Sequence, residues 1–184
     1  PHAAISTLPE GSGLMILADN YPFQPTRADA ELFREATRKN IRIFIEFPQM
    51  IPGMQKGENA YITLGCYGAV RDRTVVSSSF FEPHVPELTI LEIKDCHYVQ
   101  FITENPLLVL ACVEGYNRAV YGLPPDCRPL LFFSPNKKIL VSATKISNFV
   151  SGRFMPTDAW SHIIKNIVEW VSGRKISKLS WVPT

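Results

Sequence analysis

The segment from Leu64 to Gly68 sets a cysteine between two glycines, as in the sharp turn that exposes a catalytic nucleophile. In such an elbow a helix follows the cysteine, and its amide groups lower the thiol pKa and stabilise an oxyanion. The pattern needs glycine at position 64, where this chain has leucine, and Ala69 to Ser79 is typical of a turn and a strand. Cys66 is therefore a candidate nucleophile, with a turn or strand-end cysteine as the alternative.

A second group of polar residues follows three predicted strands, at the point where each strand ends. Because the carboxyl ends of parallel strands meet at one edge of a sheet, where ligands bind, we expect a ligand site there. The residues of this group are Asp19, Asn20, Glu46, Lys145, Ser147 and Arg153.

Glu46 stands out because it interrupts an apolar strand, and a carboxylate in such a place needs a partner. Arg153 or Lys145 is the expected partner, and a contact between Glu46 and Arg153 is a specific prediction. A buried ion pair that holds the final loop to the sheet is the favoured interpretation. The alternative is a catalytic carboxylate.

Two aromatic residues are candidates for stacking on a sugar ring. Tyr116 follows the apolar run from Leu107 to Val113, and Trp160 lies in the predicted last helix. A flat aromatic face matches the C–H face of a pyranose, although packing in the core is the alternative role for each ring.

The sequence gives no support for a metal or a cofactor. The four histidines lack metal-ligand spacing, and the four cysteines form no C-x-x-C pair. A phosphate-binding glycine loop after a strand is also missing, since the glycines at 11 and 13 precede the first predicted strand. We therefore predict no metal and no cofactor, and the disulfide status stays open.

The candidate residues are carried by a predicted strand–helix–strand unit. Leu14 to Ala18 is an unbroken apolar run, which is typical of a strand covered on both faces. A helix over Ala28 to Lys39, capped by Thr26 or Asp29, leads to a second strand from Ile41 to Phe47. This is the size of a right-handed parallel crossover.

The end of the chain predicts a hairpin and an amphipathic helix. Two apolar runs, Leu130 to Phe133 and Ile139 to Ala143, flank the turn from Ser134 to Lys138. A polar loop then leads to a helix that starts near Pro156 and stops at Gly173. Its apolar stripe is Trp160, Ile163, Ile164, Ile167, Val168 and Val171.

The middle of the chain has few helical signals. Five short strand-like runs occur there, Tyr61–Gly65, Thr74–Ser78, Leu88–Ile93, His97–Ile102 and Leu107–Val113. The fold class predicted from these patterns is α/β: a three-layer, flavodoxin-like sandwich with a mostly parallel sheet and a strand-rich middle section.

Length and charge limit the class of protein further. The 184 residues fit one α/β domain, from 1 to 184. A net charge of +2 argues against nucleic acid as a partner, and no apolar run reaches the roughly 20 residues of a membrane span, so we predict no membrane partner. The chain begins with Pro1 instead of Met, which indicates either a processed product or a piece of a longer protein.

The two ends of the chain resemble the class I glutamine amidotransferase-like fold, in the form seen in trehalose-utilisation-type proteins and in accessory domains of glycoside hydrolases. The resemblance rests on the first 48 residues and the last 55 or so. The matching segments are Leu14–Asn20, Ile41–Pro48, Ile139–Lys145, Arg153–Pro156 and Ala159–Gly173.

The resemblance implies a role next to carbohydrate-active enzymes. Catalytic members use a cysteine with a histidine and a glutamate, whereas here the elbow is altered at Leu64 and no His-x-Glu pair occurs near the end of the chain. It thus implies a non-catalytic accessory domain that binds sugar or supports a fused or associated glycoside hydrolase domain. It also implies a bacterial source and a periplasmic or secreted location. Alternatives are a hydrolase or amidotransferase-like enzyme that uses Cys66, and a structural module that forms a homo-oligomer.

Overall fold

Nine strands and three α-helices are found in the part of the chain that the structure describes. The structure is a computed structural model, and it describes residues 2–57, 62–63, 72–93, 96–112, 122–123, 127–150, 156–177 and 179. The strands are β1 (Gly13–Ile16), β2 (Arg42–Glu46), β3 (Ile62–Thr63), β4 (Asp72–Val76), β5 (Ile90–Leu91), β6 (His97–Tyr98), β7 (Pro106–Cys112), β8 (Arg128–Phe133) and β9 (Ile139–Ser142). The helices are α1 (His2–Thr7), α2 (Ala30–Arg38) and α3 (Thr157–Ser172), with 3₁₀ turns η1 (Ser79–Phe81) and η2 (Ile146–Val150).

Seven of these strands form one mixed sheet, in the order β1-β2-β9-β8-β7-β4-β5. The pairings of β1 with β2 and of β2 with β9 are parallel. The other four pairings are antiparallel. The remaining strands, β3 and β6, pair with each other as a separate antiparallel ribbon.

The predicted fold class, a three-layer α/β sandwich of flavodoxin-like or glutamine amidotransferase-like type with a mostly parallel sheet, is therefore wrong. The parallel part is one corner of three strands, and the larger part of the sheet is antiparallel. Three strands of the middle section, β4, β5 and β7, join this same sheet, whereas β3 and β6 form the separate ribbon. Parallel neighbours need a crossover of a dozen or more residues, usually a helix, and the connection between β8 and β9 is far shorter than that.

The turn between β8 and β9 shows why this pair is antiparallel. The Ser134 hydroxyl donates to the Asn136 side-chain oxygen at 2.7 Å and accepts from the Ile139 N–H at 3.1 Å. The Asn136 oxygen also accepts from the Lys138 N–H at 3.0 Å, and Lys137 takes the left-handed conformation with φ 55°. The predicted hairpin is confirmed, and its turn closes with side-chain bonds typical of Asn and Ser.

The parallel corner is built as a strand–helix–strand unit, as predicted. The Asp29 carboxylate caps α2 by accepting from the Leu32 N–H at 3.0 Å, so Asp29 takes the capping role rather than Thr26. Leu32, Phe33 and Ala36 are the buried side of the helix. The next strand, β2, then lies parallel to β1.

The last helix packs across this corner with the predicted apolar stripe. Four of its side chains are buried, Trp160, Ile163, Ile167 and Val171. It ends at Gly173, whose φ of 66° is the left-handed conformation that glycine adopts without a steric cost. Near that end, a Cβ added to Gly13 would overlap the Val171 carbonyl oxygen, so this glycine lets α3 approach β1 closely.

Both faces of the central sheet are covered. Neighbouring residues of a strand point to opposite faces. Phe133 contacts the ring of Trp170 in α3, with ring centroids 5.1 Å apart, whereas Phe132 contacts Phe101 at 5.6 Å. The helix therefore covers one face, and the segment around Phe101 covers the other.

Candidate functional site

Glu46 lies at the end of β2 with none of its surface exposed. Its carboxylate accepts three hydrogen bonds: from the Ala18 N–H at 3.3 Å, from the Ser147 N–H at 2.8 Å and from the Ser147 hydroxyl at 3.2 Å. Burial raises the pKa of Glu46, and the hydrogen bonds from Ser147 and Ala18 act against that rise. The side chain therefore holds together the ends of β1 and β2 and the 3₁₀ turn η2.

None of the described residues contacts Glu46 as the expected cationic partner. No lysine, arginine or histidine nitrogen in the described ranges comes within 4.0 Å of its carboxylate. Lys145 is half-buried and lies beyond ion-pair distance of Glu46, and its positive charge acts to lower the pKa of that carboxyl. Arg153, the other expected partner, lies outside the described residues. Among the described residues, backbone amides and a serine hydroxyl are the partners of the Glu46 carboxylate, and its contact with Arg153 stays a prediction.

A second network sits beside the first, at the end of β9. The Tyr21 hydroxyl accepts from the His97 N–H at 2.7 Å and lies 3.2 Å from the Thr144 hydroxyl. The buried Cys96 thiol donates to the same Thr144 hydroxyl at 3.7 Å. Tyr21 also packs edge-on against Phe47, with ring centroids 5.1 Å apart. The loop after β1 is thereby fastened over the end of β9.

Trp160 cannot offer a ring face to a ligand in this structure, because none of its surface is exposed. Its ring packs against Phe149 with centroids 5.0 Å apart, and its indole N–H donates to the Glu92 carbonyl at 3.2 Å. The stacking role considered for Trp160 is therefore corrected to a core role that ties α3 to η2.

Asp19 and Asn20 are the predicted site residues that remain open to solvent at the end of β1. They line a depression of about 350 Å³, which we name the β1-end depression. Its lining residues are Ile16, Leu17, Asp19, Asn20, Gln24, Pro25, Thr26 and Arg27.

Gln24, Thr26 and Arg27 form the far wall of the β1-end depression and were not among the residues predicted from the sequence. With its amide oriented so that the oxygen faces Arg27, Gln24 accepts from two nitrogens of that guanidinium at 2.9 and 3.2 Å. Thr26 anchors this wall to the sheet, since its N–H donates to the Phe47 carbonyl at 2.8 Å. The polar run from Tyr21 to Arg27 was the available signal, but only the fold shows that the loop turns back toward β1.

A larger groove, of about 820 Å³, opens away from the strand ends considered above. It runs along the start of β7 and the end of β8, next to the hairpin turn. Polar side chains such as Gln55, Glu104 and Asn105 line it together with Phe133. No feature of the sequence singled out this groove.

Three candidate residues, Cys66, Tyr116 and Arg153, fall outside the described residues. Among the residues that are described, no group of three or more His, Cys, Asp or Glu side chains is arranged to hold a metal ion. Within the same ranges, none of the helices combines the length and the apolar character that crossing a membrane requires.

The geometry thus divides the predicted cluster into two parts. Glu46 and Ser147 bond to each other inside the fold, whereas Asp19 and Asn20 face solvent beside Gln24 and Arg27. Comparison of the chain with protein-family models, with curated proteins and with solved structures found no significant match.

Proposed function

We propose that the chain is a non-catalytic accessory domain of a carbohydrate-active protein and that it binds a sugar in the β1-end depression. One observation carries the proposal. A carboxylate, two amides and a guanidinium, from Asp19, Asn20, Gln24 and Arg27, line one depression beside the exposed side chain of Leu17.

These groups have the chemistry that a sugar needs. Planar carboxylate, amide and guanidinium groups donate and accept in pairs, which matches the neighbouring hydroxyls of a sugar ring. Leu17 is 47% exposed and offers an apolar contact for the C–H face of the ring. The volume of about 350 Å³ suits one or two sugar units rather than a long chain.

The burial and the contacts of Glu46 favour a binding role over a catalytic role at this edge of the sheet. A general acid or base must come within hydrogen-bond reach of the substrate. Glu46 is fully buried, and all of its described contacts are to Ala18 and Ser147. Its raised pKa follows from burial inside a structural network, so the pKa does not point to a reacting group.

The role as an accessory domain rests on the resemblance to domains attached to glycoside hydrolases. Four of the matching segments contain β1, β2 and β9 of the parallel corner and the helix α3 that packs on it. A fused or associated glycoside hydrolase domain is the expected neighbour, and a bacterial, exported protein is the expected setting.

A glycan array followed by calorimetry tests the proposal. The wild type is expected to bind a sugar, and Asn20→Ala is expected to weaken that binding by about tenfold through the loss of paired hydrogen bonds. Asn105→Ala is the matched control, because it removes the same exposed amide from the larger groove. Loss of binding in Asn105→Ala alone, or no glycan bound by the wild type, would contradict the proposal.

A further inference from the structure

Phe23 has the most exposed large apolar side chain among the described residues, with 86% of its surface open to solvent. The other phenylalanines that the structure describes are buried or pack against the core. Phenylalanine is a residue that proteins usually bury, because its ring carries a large apolar surface. The ring of Phe23 keeps that surface available for a ligand.

The turn that carries Phe23 is fixed to the fold at both ends. Before the turn, the Tyr21 hydroxyl accepts from the His97 N–H at 2.7 Å. After it, the Thr26 N–H donates to the Phe47 carbonyl at 2.8 Å. The backbone around the ring is therefore positioned before any ligand binds, which reduces the entropy that binding costs.

The same turn borders the β1-end depression. The Gln24 N–H donates to the Asn20 carbonyl at 2.9 Å, so the chain turns back between these two residues, and both of them line the depression. Pro22 and Pro25 restrict the backbone on either side of Phe23. Phe23 lies at the tip of this turn and is not among the residues that line the depression. A ligand that reaches the ring must extend beyond the depression.

We propose that Phe23 is a stacking platform of the sugar site: one sugar unit occupies the β1-end depression, and the C–H face of the next unit packs on the Phe23 ring. The inference rests on the proposed function and adds to it that the ligand is an oligosaccharide of at least two units. The polar groups of the depression bond to hydroxyls of the first unit, and the flat ring covers apolar C–H groups of the second.

The surroundings of Phe23 favour a sugar over a protein as the occupant. A protein interface needs a wide contact area around a centre of several large anchors. Here one aromatic ring stands next to exposed polar side chains, those of Asn20, Gln24 and Arg27. Leu17 is the only exposed apolar side chain among the lining residues of the depression. A sugar presents the same mixture of apolar faces and hydroxyl groups.

Calorimetry with the oligosaccharide that the glycan array selects, and with its fragments down to one sugar unit, tests the stacking role. Phe23→Ala is expected to weaken binding of the oligosaccharide by about tenfold and to leave the affinity for the single unit unchanged. Phe23→Trp keeps a flat ring and should retain the affinity, whereas Phe23→Leu keeps only an apolar side chain and should lose most of it. The matched control Ile102→Ala removes an exposed apolar side chain outside the depression and should change neither affinity.

The possible failures separate the stacking role from sugar binding itself. The stacking role would be overturned if Phe23→Ala or Phe23→Leu bound the oligosaccharide as tightly as the wild type does. It would also be overturned if Phe23→Ala lost affinity equally for the single unit, or if the wild type bound the single unit as tightly as any longer glycan. In each of these cases sugar binding by the chain would stand. A wild type that binds no glycan would instead contradict the proposed function, and the stacking role with it.

Discussion

Ser147 donates both its backbone N–H and its hydroxyl to the carboxylate of Glu46, at 2.8 and 3.2 Å. The two residues are far apart in sequence, and their contact joins the end of β2 to the turn that precedes α3. Ala18 completes the set of donors from the end of β1. The parallel corner of the sheet is therefore closed by one buried side chain.

We predict that Glu46→Ala lowers the free energy of unfolding by about 2–4 kcal/mol, because the Ala18 and Ser147 N–H groups lose their buried acceptor. Glu46→Gln keeps one acceptor oxygen and should cost less. Urea denaturation followed by circular dichroism measures both changes. The control is Glu87→Ala at an exposed position, which should change stability little. Equal stability of Glu46→Ala and Glu87→Ala would show that the hydrogen bonds of Glu46 do not stabilise the fold.

The pH dependence of stability gives a second prediction. Burial raises the pKa of Glu46 above its ordinary value of 4.5. Between the unfolded-state and folded-state pKa values the folded protein binds more protons, so stability falls as the pH rises through this interval. Below pH 4.5 this cost is absent.

The wild type should therefore lose stability relative to Glu46→Gln as the pH rises above 4.5, until the difference becomes constant above the folded-state pKa. Denaturation curves of both proteins at a series of pH values measure the difference. A difference that is independent of pH, or one that favours the wild type at higher pH, is incompatible with the raised pKa.

Tyr21→Phe should destabilise the fold by about 1–2 kcal/mol, because the His97 N–H loses its acceptor when the hydroxyl is removed. Part of this loss in stability should come from the interaction with Thr144, because its hydroxyl lies 3.2 Å from that of Tyr21. In a double-mutant cycle with Thr144→Val we expect a coupling of at least about 0.5 kcal/mol. Strictly additive effects would show that the two hydroxyls do not interact.

For Trp160 we predict an effect on stability and none on binding. Trp160→Ala should cost about 3–5 kcal/mol, as for other large rings removed from a core. Trp160→Phe retains most of the packing against Phe149 and should remain folded. Calorimetry with the sugar that the wild type binds should give the same affinity for Trp160→Phe. A large loss of affinity in this folded variant would show that the Trp160 ring takes part in sugar binding.

Local patterns in the sequence were sufficient for many of the elements. Thr26 or Asp29 before an apolar stripe predicted the start of α2 to within a few residues, and Gly173 predicted the end of α3, because capping depends on neighbouring residues alone. The turn at Ser134 to Lys138 is a similar case. Each of these features depends on residues that lie only a few positions away in the sequence.

Strand direction was not predictable in the same way. Apolar runs such as Leu107 to Val113 show that a strand is buried, but not which strand lies next to it. Pairing β7 with β4 and β8 makes that part of the sheet antiparallel, and this depends on contacts between distant segments. The apolar run at Leu14 to Ala18 likewise predicted a strand covered on both faces. Among the described strands β1 pairs with β2 alone, and one of its faces carries the exposed side chains of Met15 and Leu17.

The sequence predicted which candidate residues lie at strand ends, but not the contacts that they make. Asp19 and Glu46 were candidates because they lie at strand ends, but the sequence could not show that the N–H groups of Ala18 and Ser147 bond to the Glu46 carboxylate. Only the burial of Trp160 in the structure shows its core role, since an aromatic residue on an amphipathic helix has the same sequence pattern whether it lies in a core or at a surface. Gln24 and Arg27 enter the depression only because the loop folds back.

The most direct test of sugar binding in the β1-end depression is a nuclear magnetic resonance titration of the isotope-labelled chain with the glycan that the array selects. We predict that the perturbed amide signals cluster between Ile16 and Arg27, and that Asn20→Ala needs about tenfold more glycan to give the same perturbations. Perturbations confined to the groove around Asn105, or no perturbation with any glycan tested, would contradict this account.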